Sequence, residues 1–456
     1  MRRLCMVAAV VWAGASAGAQ VPTDESAAKA EIAARQAEAR GLLMAHATPI
    51  TAADGPYRAA DYEPLLGMVK GKRLVLVSEP THGTHECRLE NAKLVRFLVE
   101  RAGMRTLILE LGYAEGLELD AYVRRGVGDV NEIVGSHLGI LWNTVEEADM
   151  MRWVAEWNKA HPKEMVRVVG MDVEPGTSGE LALAKLMAGM KIDAALVERL
   201  RVGAEAAEKM KGPAKATSSA EEKAASADYD KALVELLAVL RGLPAGTAKD
   251  DAWRSVMSVR SGRRAAEMRG EGPNGNEAGQ RLREFEMGRM ALAAVAESSA
   301  PSVIVTHTVH LRPGRLAGDK VQTVGYHLAR TLGDRAFFLG EEYGTGYMRA
   351  FEPTTGPMAT RRLHAAKFDA PAAGSIAAAL GEAGPLLVDL RDPQDGSAWS
   401  EWLETMQATH LYPAITYEAG DATKPNWTVP ADAFDAMIYL PQVTALHPIG
   451  APEYVP

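Results

Sequence analysis

Residues 73–86 read Arg73-Leu74-Val75-Leu76-Val77-Ser78-Glu79-Pro80-Thr81-His82-Gly83-Thr84-His85-Glu86. Five residues with a continuous apolar middle run into a turn that holds a glutamate, a proline, a glycine and two histidines. An apolar run without alternation predicts a strand buried on both faces, as in a sheet covered by helices. The polar turn that follows predicts the start of a helix near Thr84, where Glu86 would face the positive end of the helix dipole.

The same grammar recurs along the chain. Further short β-rich runs are Thr106–Leu109, Val166–Val169, Val303–Thr306, Ala336–Leu339, Pro385–Val388 and Ala436–Leu440, most of them followed by helical stretches. Strands alternating with helices predict an α/β fold, a central sheet flanked by helices. Between Ser178 and Ser299 no strand is predicted, and Ala, Leu, Met, Lys and Glu dominate. Leu181–Met190 and Asp230–Leu240 read as amphipathic helices, Ala214–Ala227 as a solvated helix or loop, and 270–279 as a turn-rich break. The expected organisation is a signal peptide over 1–19, an N-terminal helical segment over 20–60, a first α/β half over 61–177, a mostly helical insertion over 178–299 and a second α/β half over 300–456.

Four of the predicted strands end in a group capable of acid–base chemistry. The first ends at Glu79 and His82, the second at Glu110, the third at Asp172 and the fourth at His307 and His310. In open α/β sheets, sites form beyond the carboxyl ends of parallel strands. If these strands are parallel, all of those groups converge. Singly, each has a plainer reading as a capped turn or a surface group. Asp172 is expected to cap its own turn, His85 to be peripheral, and His327 and His364 to be structural or surface residues.

These residues also carry a resemblance. The Glu-x-x-His-Gly loop at 79–83, followed by Glu86, resembles the signature loop of the erythromycin esterase family. Leu109-Glu110-Leu111-Gly112 is similar to that family's second acidic strand end, and Gly170-Met171-Asp172 to its Gly-x-Asp turn. Arg283-Glu284 with Met287 is similar to its Arg-Asp-x-x-Met helix, and His307-Thr308-Val309-His310-Leu311 to its His-Asn-x-His strand end. Gly325-Tyr326-His327-Leu328 and Phe434-Asp435-Ala436 follow in the same order. Four positions depart: Ser78 stands for a glycine, Asn91 for a basic residue (with Lys93 nearby), Thr308 for an asparagine and Glu284 for an aspartate.

The resemblance implies hydrolysis of an ester or macrolactone without a metal, a cofactor or an acyl-enzyme. A histidine titrates in the range needed to activate water. His82 is expected to be the general base, with Glu79 orienting it and Glu110 supporting the histidines. His307 and His310 are expected to donate to the oxyanion or leaving alcohol, and Arg283 to steady the substrate. No Gly-x-Ser-x-Gly elbow surrounds Ser302. Two other readings stand beside this one: a metal-dependent hydrolase built on the same residues, and a non-catalytic envelope- or polysaccharide-associated binding protein.

The remaining sequence signals concern where the protein works. Arg2 and Arg3 precede an apolar run, Leu4–Trp12, and Ala17-Gly18-Ala19 reads as a cleavage signature before Gln20. That arrangement predicts an exported protein, periplasmic or secreted, with no stable membrane anchor. Of the two cysteines, Cys5 lies in this leader and leaves Cys87 alone, with Glu86 disfavouring its thiolate. The 456 residues are 47% hydrophobic and 24% charged, ordinary for a globular protein, and the net charge of −9 lacks the basic footprint of a nucleic-acid binder. The expected partner is a small ester or lactone.

Overall fold

A computed structural model describes residues 25–136, 142–173, 179–210, 213, 215, 217–272, 274–313, 321–352, 363–368, 370–410 and 426–450. The predicted leader over 1–19 lies outside the described residues. The chain opens with α1 (Glu25–Ala45), mostly solvent-exposed, and β1 (Ala47–Pro49). The first α/β stretch follows as α2 (Glu63–Val69), β2 (Leu74–Glu79), α3 (His85–Ala102), β3 (Thr106–Gly112), α4 (Tyr113–Arg125), α5 (Val130–Ser136), α6 (Val145–Ala160) and β4 (Arg167–Asp172).

Five helices then run without a described strand: α7 (Gly179–Ala188), α8 (Ala194–Met210), α9 (Ala220–Gly242), α10 (Thr247–Arg269) and α11 (Gly275–Glu297). The sheet resumes with β5 (Ser302–His307), α12 (Thr308–Leu311), α13 (Val324–Leu332), β6 (Ala336–Phe351), β7 (Leu363–Lys367), α14 (Ile376–Leu380), β8 (Leu386–Asp389) and α15 (Ala398–Glu404). It closes with β9 (Gln407–Thr409), β10 (Asn426–Thr428), α16 (Pro430–Ala433) and β11 (Ala436–Val443).

The main sheet has nine strands in the order β1-β8-β11-β6-β2-β5-β3-β4, with β7 on β6. From β11 to β4 every pairing is parallel, while β1, β7 and β8 pair antiparallel. The expected α/β class is therefore the observed one. All seven predicted strands are present; β6 is much longer than the run that announced it.

Alternate residues of the central strands pack on opposite faces, which is why the runs read as continuously apolar. Val75, Val77, Leu107, Leu109, Val303 and Val305 join Leu94, Val95 and Leu98 of α3 on one side. Leu74, Leu76, Ile108 and Ile304 join Met287, Ala291 and Ala294 of α11 on the other. A separate apolar cluster, including Leu183, Leu200, Leu233, Leu236 and Val256, holds α7 to α10 together. At the roughly 1.5–3 kcal/mol that burying one such side chain contributes, these faces dominate the stability of the sheet.

Two glycines permit close backbone approach near the strand ends. A Cβ on Gly170 would lie 2.1 Å from the carbonyl oxygen of Gly112, where β3 and α4 crowd β4. A Cβ on Gly83 would lie 2.2 Å from the carbonyl oxygen of Arg349, so only glycine lets β6 pass against the His82 turn.

Candidate active site at the strand ends

Because β2 and β5 are parallel neighbours in register, Glu79 sits opposite His307 at their carboxyl ends. β3 lies on the far side of β5, and its register against β4 shifts between Leu109 and Gly112. The irregularity spans Glu110 and Leu111, beside the site, where bulges are common. The helix α11 crosses behind and supplies Arg283 and Glu284. Glu79, His82, Glu110, His307 and His310 are thereby brought together, with Arg283 beside them; all but Arg283 are buried.

His82 is held from several sides. Its Nδ1 faces Oε1 of Glu79 in a short contact, and its Nε2 lies 3.8 Å from Oε1 of Glu110. The imidazole ring stands 4.8 Å from the His307 ring and 5.5 Å from the Trp142 ring, centroid to centroid. Glu79 is in turn fixed by Arg88, whose Nη2 lies 3.1 Å from Oε2. Arg88 also pairs with Glu147 at 3.4 Å and stacks 4.3 Å above Trp142.

Glu110 is the hub of the other half. Its Oε2 accepts the Thr306 hydroxyl and the His307 backbone N–H, the latter at 3.0 Å. Its Oε1 lies 3.2 Å from both His310 Nε2 and Arg283 Nη2. Arg283 is anchored by Asp172 through two bonds of 2.9 and 2.7 Å, a bidentate pair. His310 Nδ1 meets Glu284 Oε1 at 2.7 Å, and the other Glu284 oxygen accepts the Val324 N–H at 3.0 Å.

The electrostatics follow from these contacts. Burial opposes a charge on His310, but the carboxylates of Glu284 and Glu110 outweigh it and push its pKa up to about 10. Burial likewise opposes ionisation of Glu110, yet His310, His82 and Arg283 hold its carboxyl well below the usual range. His307 goes the other way. Burial first, and the neighbouring His82 second, push it well below the ordinary histidine value. Its Nε2–H donates to the Pro80 carbonyl at 3.1 Å and its Nδ1 accepts the Val309 N–H at 3.3 Å, so both nitrogens of a neutral ring are engaged.

This geometry bears on a metal in the cluster. A ligating imidazole offers a free lone pair, whereas His310 stands between two carboxylates and His307 spends both nitrogens on backbone groups. His82 Nε2 and His310 Nε2 both face Glu110 Oε1, whereas His307 is turned to the Pro80 carbonyl and the Val309 N–H and does not join them. What the arrangement can do is hold one histidine, His82, with Nδ1 capped by the Glu79 carboxylate and Nε2 turned toward Glu110, whose carboxylate is paired with His310 and Arg283. Arg283 is the most accessible member, its side chain 14% exposed.

Sequence reasoning passed over several members. Arg88 fixes Glu79 from the first turns of α3, whereas Lys93 bonds the Ala52 carbonyl at the surface and takes no part. The signal was an arginine one helical turn past the loop. Asp172 does bond the Val173 N–H of its own turn, as a cap would, but its second task is to hold Arg283. Glu284 reaches His310, and Thr308 donates to the Glu79 carbonyl at 2.8 Å, so two of the departures from the family pattern are themselves structural. Ser78, a third, accepts from the Glu341 N–H. Trp142, just before α6, and Glu147, in its first turn, carried no motif. A cleft of about 1020 Å³ beside α4, α5, α7 and α10 contains none of the cluster side chains.

Comparison with known proteins bears on the chain and its fold. The erythromycin esterase family model matches residues 99–443, which includes Glu110, Arg283, His307 and His310 and begins after the Glu79–His82 loop. The chain is 32% identical over 113 residues to an erythromycin esterase type II of Escherichia coli. That match covers 25% of this chain and 26% of the relative, so it spans about a quarter of the curated protein. In solved structures, the fold is similar to that of a Bacillus cereus protein, at a TM-score of 0.73 and 20% identity over 91% of this chain and 99% of that one. It is also similar to a succinoglycan biosynthesis protein (TM-score 0.69, 16% identity, 90% and 98% covered). The third is a mutant of the erythromycin esterase EreC in its open conformation (TM-score 0.58, 16% identity, 85% and 94% covered). At these identities the three structures speak for the fold alone.

Proposed function

The chain belongs to the erythromycin esterase family, and from that premise we propose that it is an exported hydrolase in which His82 activates water against an ester or lactone carbonyl. Family membership supports a hydrolase acting on a small molecule. The observation that carries the rest is the Glu79–His82 pair, a histidine whose Nδ1 is held by a buried carboxylate while Nε2 faces the cluster.

The chemistry runs as follows. The Nδ1–H of His82 stays on Glu79, which leaves the Nε2 lone pair to take a proton from water as its oxygen adds to the carbonyl carbon. Negative charge then grows on the carbonyl oxygen. Arg283 is the donor best placed to meet it, with the charge of His310 behind, because preorganised positive groups act strongly where water is excluded. Collapse of the tetrahedral adduct breaks the bond to the alcohol oxygen, which takes the proton back from His82. His307, with both nitrogens engaged, positions the Pro80 turn instead of donating to the oxyanion.

The reading in which the same cluster binds a metal is disfavoured by His307, whose two nitrogens are both engaged by backbone groups. The test is a hydrolysis screen of the purified protein on macrolides and simple esters, before and after chelator treatment. Turnover that is lost in His82→Ala and kept after chelation supports the proposal; no turnover of any ester or lactone would favour a binding protein instead.

A further inference from the structure

Outside the cluster, three chain segments that are distant in sequence meet at one point. His85 stands at the start of α3, Glu146 in the first turn of α6 and His447 just past β11. Their ligand-type atoms all lie within 4.8 Å of one another. His85 Nδ1 approaches Glu146 Oε1 at 2.5 Å and His447 Nδ1 approaches the same oxygen at 2.8 Å. The His447 backbone N–H adds a bond of 3.1 Å to that oxygen. The second carboxylate oxygen, Oε2, is buried and has no hydrogen-bond partner, in a residue only 3% exposed. A buried carboxylate oxygen without a donor is costly and asks for one.

From this convergence we infer that His85, Glu146 and His447 form a binding site for a divalent transition-metal ion, with Zn²⁺ the best fit. Two imidazole nitrogens and one carboxylate are a familiar zinc donor set, with a fourth position left for water. Zinc bonds of about 2.0–2.1 Å in a tetrahedron place ligand atoms roughly 3.3 Å apart, so a small outward shift of the two rings accommodates the ion. The histidines are reachable from solvent: the side chains of His85 and His447 are 19% and 38% exposed, which provides the path by which an ion enters.

The backbone already holds the three ligands in place. The His85 N–H bonds the Thr444 carbonyl at 2.8 Å, and the Val145 N–H bonds the His447 carbonyl at 2.9 Å. The Leu446 N–H bonds the Gly83 carbonyl at 3.0 Å, one residue from His82. An ion here would therefore clamp the segment after β11 onto the His82 turn and onto α6, whose Glu147 holds Arg88. It acts as a structural clamp, distinct from the hydrolytic cluster.

The test uses the whole protein stripped of metal, with Co²⁺ and Zn²⁺ as probes. We expect one equivalent of Co²⁺ to give the intense visible bands of a tetrahedral site, Zn²⁺ to displace it, and Mg²⁺ to leave it untouched because that ion demands octahedral oxygen ligands. Zn²⁺ at a hundredfold excess over its Kd should raise Tm by roughly 3 °C for a chain of this size. His447→Ala, at a half-exposed position whose loss the fold should tolerate, and Glu146→Gln should each abolish the bands, while His82→Ala keeps them. Absence of bands in the native protein would overturn the inference. So would bands that survive His447→Ala and disappear in His82→Ala, which would move the ion to the hydrolytic cluster.

Discussion

Arg88 holds Nη2 3.1 Å from Oε2 of Glu79, the carboxylate whose other oxygen receives Nδ1 of His82. The arginine reaches the proposed base through its neighbours, Glu79 on one side and the Trp142 ring on the other. Its removal leaves Glu79 and Glu147 as two buried carboxylates without their shared cation. Breaking such a pair costs roughly 3–5 kcal/mol. Arg88→Ala is therefore expected to lower stability by about that amount in urea melts and to reduce kcat with little change in KM. Arg88→Lys, which keeps the charge, should recover part of both.

His82→Ala is expected to lower kcat by at least about a hundredfold, the usual loss when a general base is removed. His82→Gln should behave alike, because an amide keeps hydrogen bonding but carries no proton. Both variants should retain the native circular dichroism spectrum. If His310→Ala abolishes activity while His82→Ala retains it, the base is another member of the cluster.

The protonated His310 gives stability a defined pH dependence. Its pKa is pushed up to about 10 in the folded protein, against roughly 6.5 in an unfolded chain. The folded state binds the proton more tightly, so this contribution is complete below about pH 6.5 and is lost as pH rises through about 10. Buried Glu90 and Glu147, each pushed up to about 7 chiefly by desolvation, titrate in the lower part of that window. Between about pH 8 and 10, Tm of the native protein should fall more steeply than that of His310→Gln. Parallel curves for the two would remove the imidazolium from the account.

Cys87 is 1% exposed, and burial, with Glu341 next in effect, raises its thiol well above the ordinary range. A thiol of that kind is inert. Aromatic disulfide reagents should modify it only after denaturation, with a rate that follows unfolding. Rapid labelling of the native protein would show that α3 opens locally.

The proposed export signal predicts a processed protein. Mass spectrometry of material from the native host should find an N-terminus near Gln20, and a chain that begins at Met1 would overturn this reading.

The sequence by itself determined the strands and what hangs at their ends. Leu74–Val77, Leu107–Leu109 and Val303–Val305 are apolar at every position because both faces of the central sheet are covered, and a strand so buried advertises itself without its neighbours. The polar groups at Glu79, His82, Glu110, His307 and His310 were legible for the same reason, since a strand's boundary is a local property. Short strands such as Ala47–Pro49 were not legible, because their pairing partner, Leu386–Val388, is more than three hundred residues away in the chain. Only the tertiary structure decided that β5 lies between β2 and β3, which sets Glu79 opposite His307 and brings Glu110 to the other side of His307. It also decided which charges meet. Asp172 finds Arg283 and Glu284 finds His310 across separations that no local pattern encodes, and Arg88, though close to Glu79 in the chain, finds Glu147 on another helix. Buried charges must be paired, but the choice of partner depends on which helix crosses which strand end, and that is a property of packing.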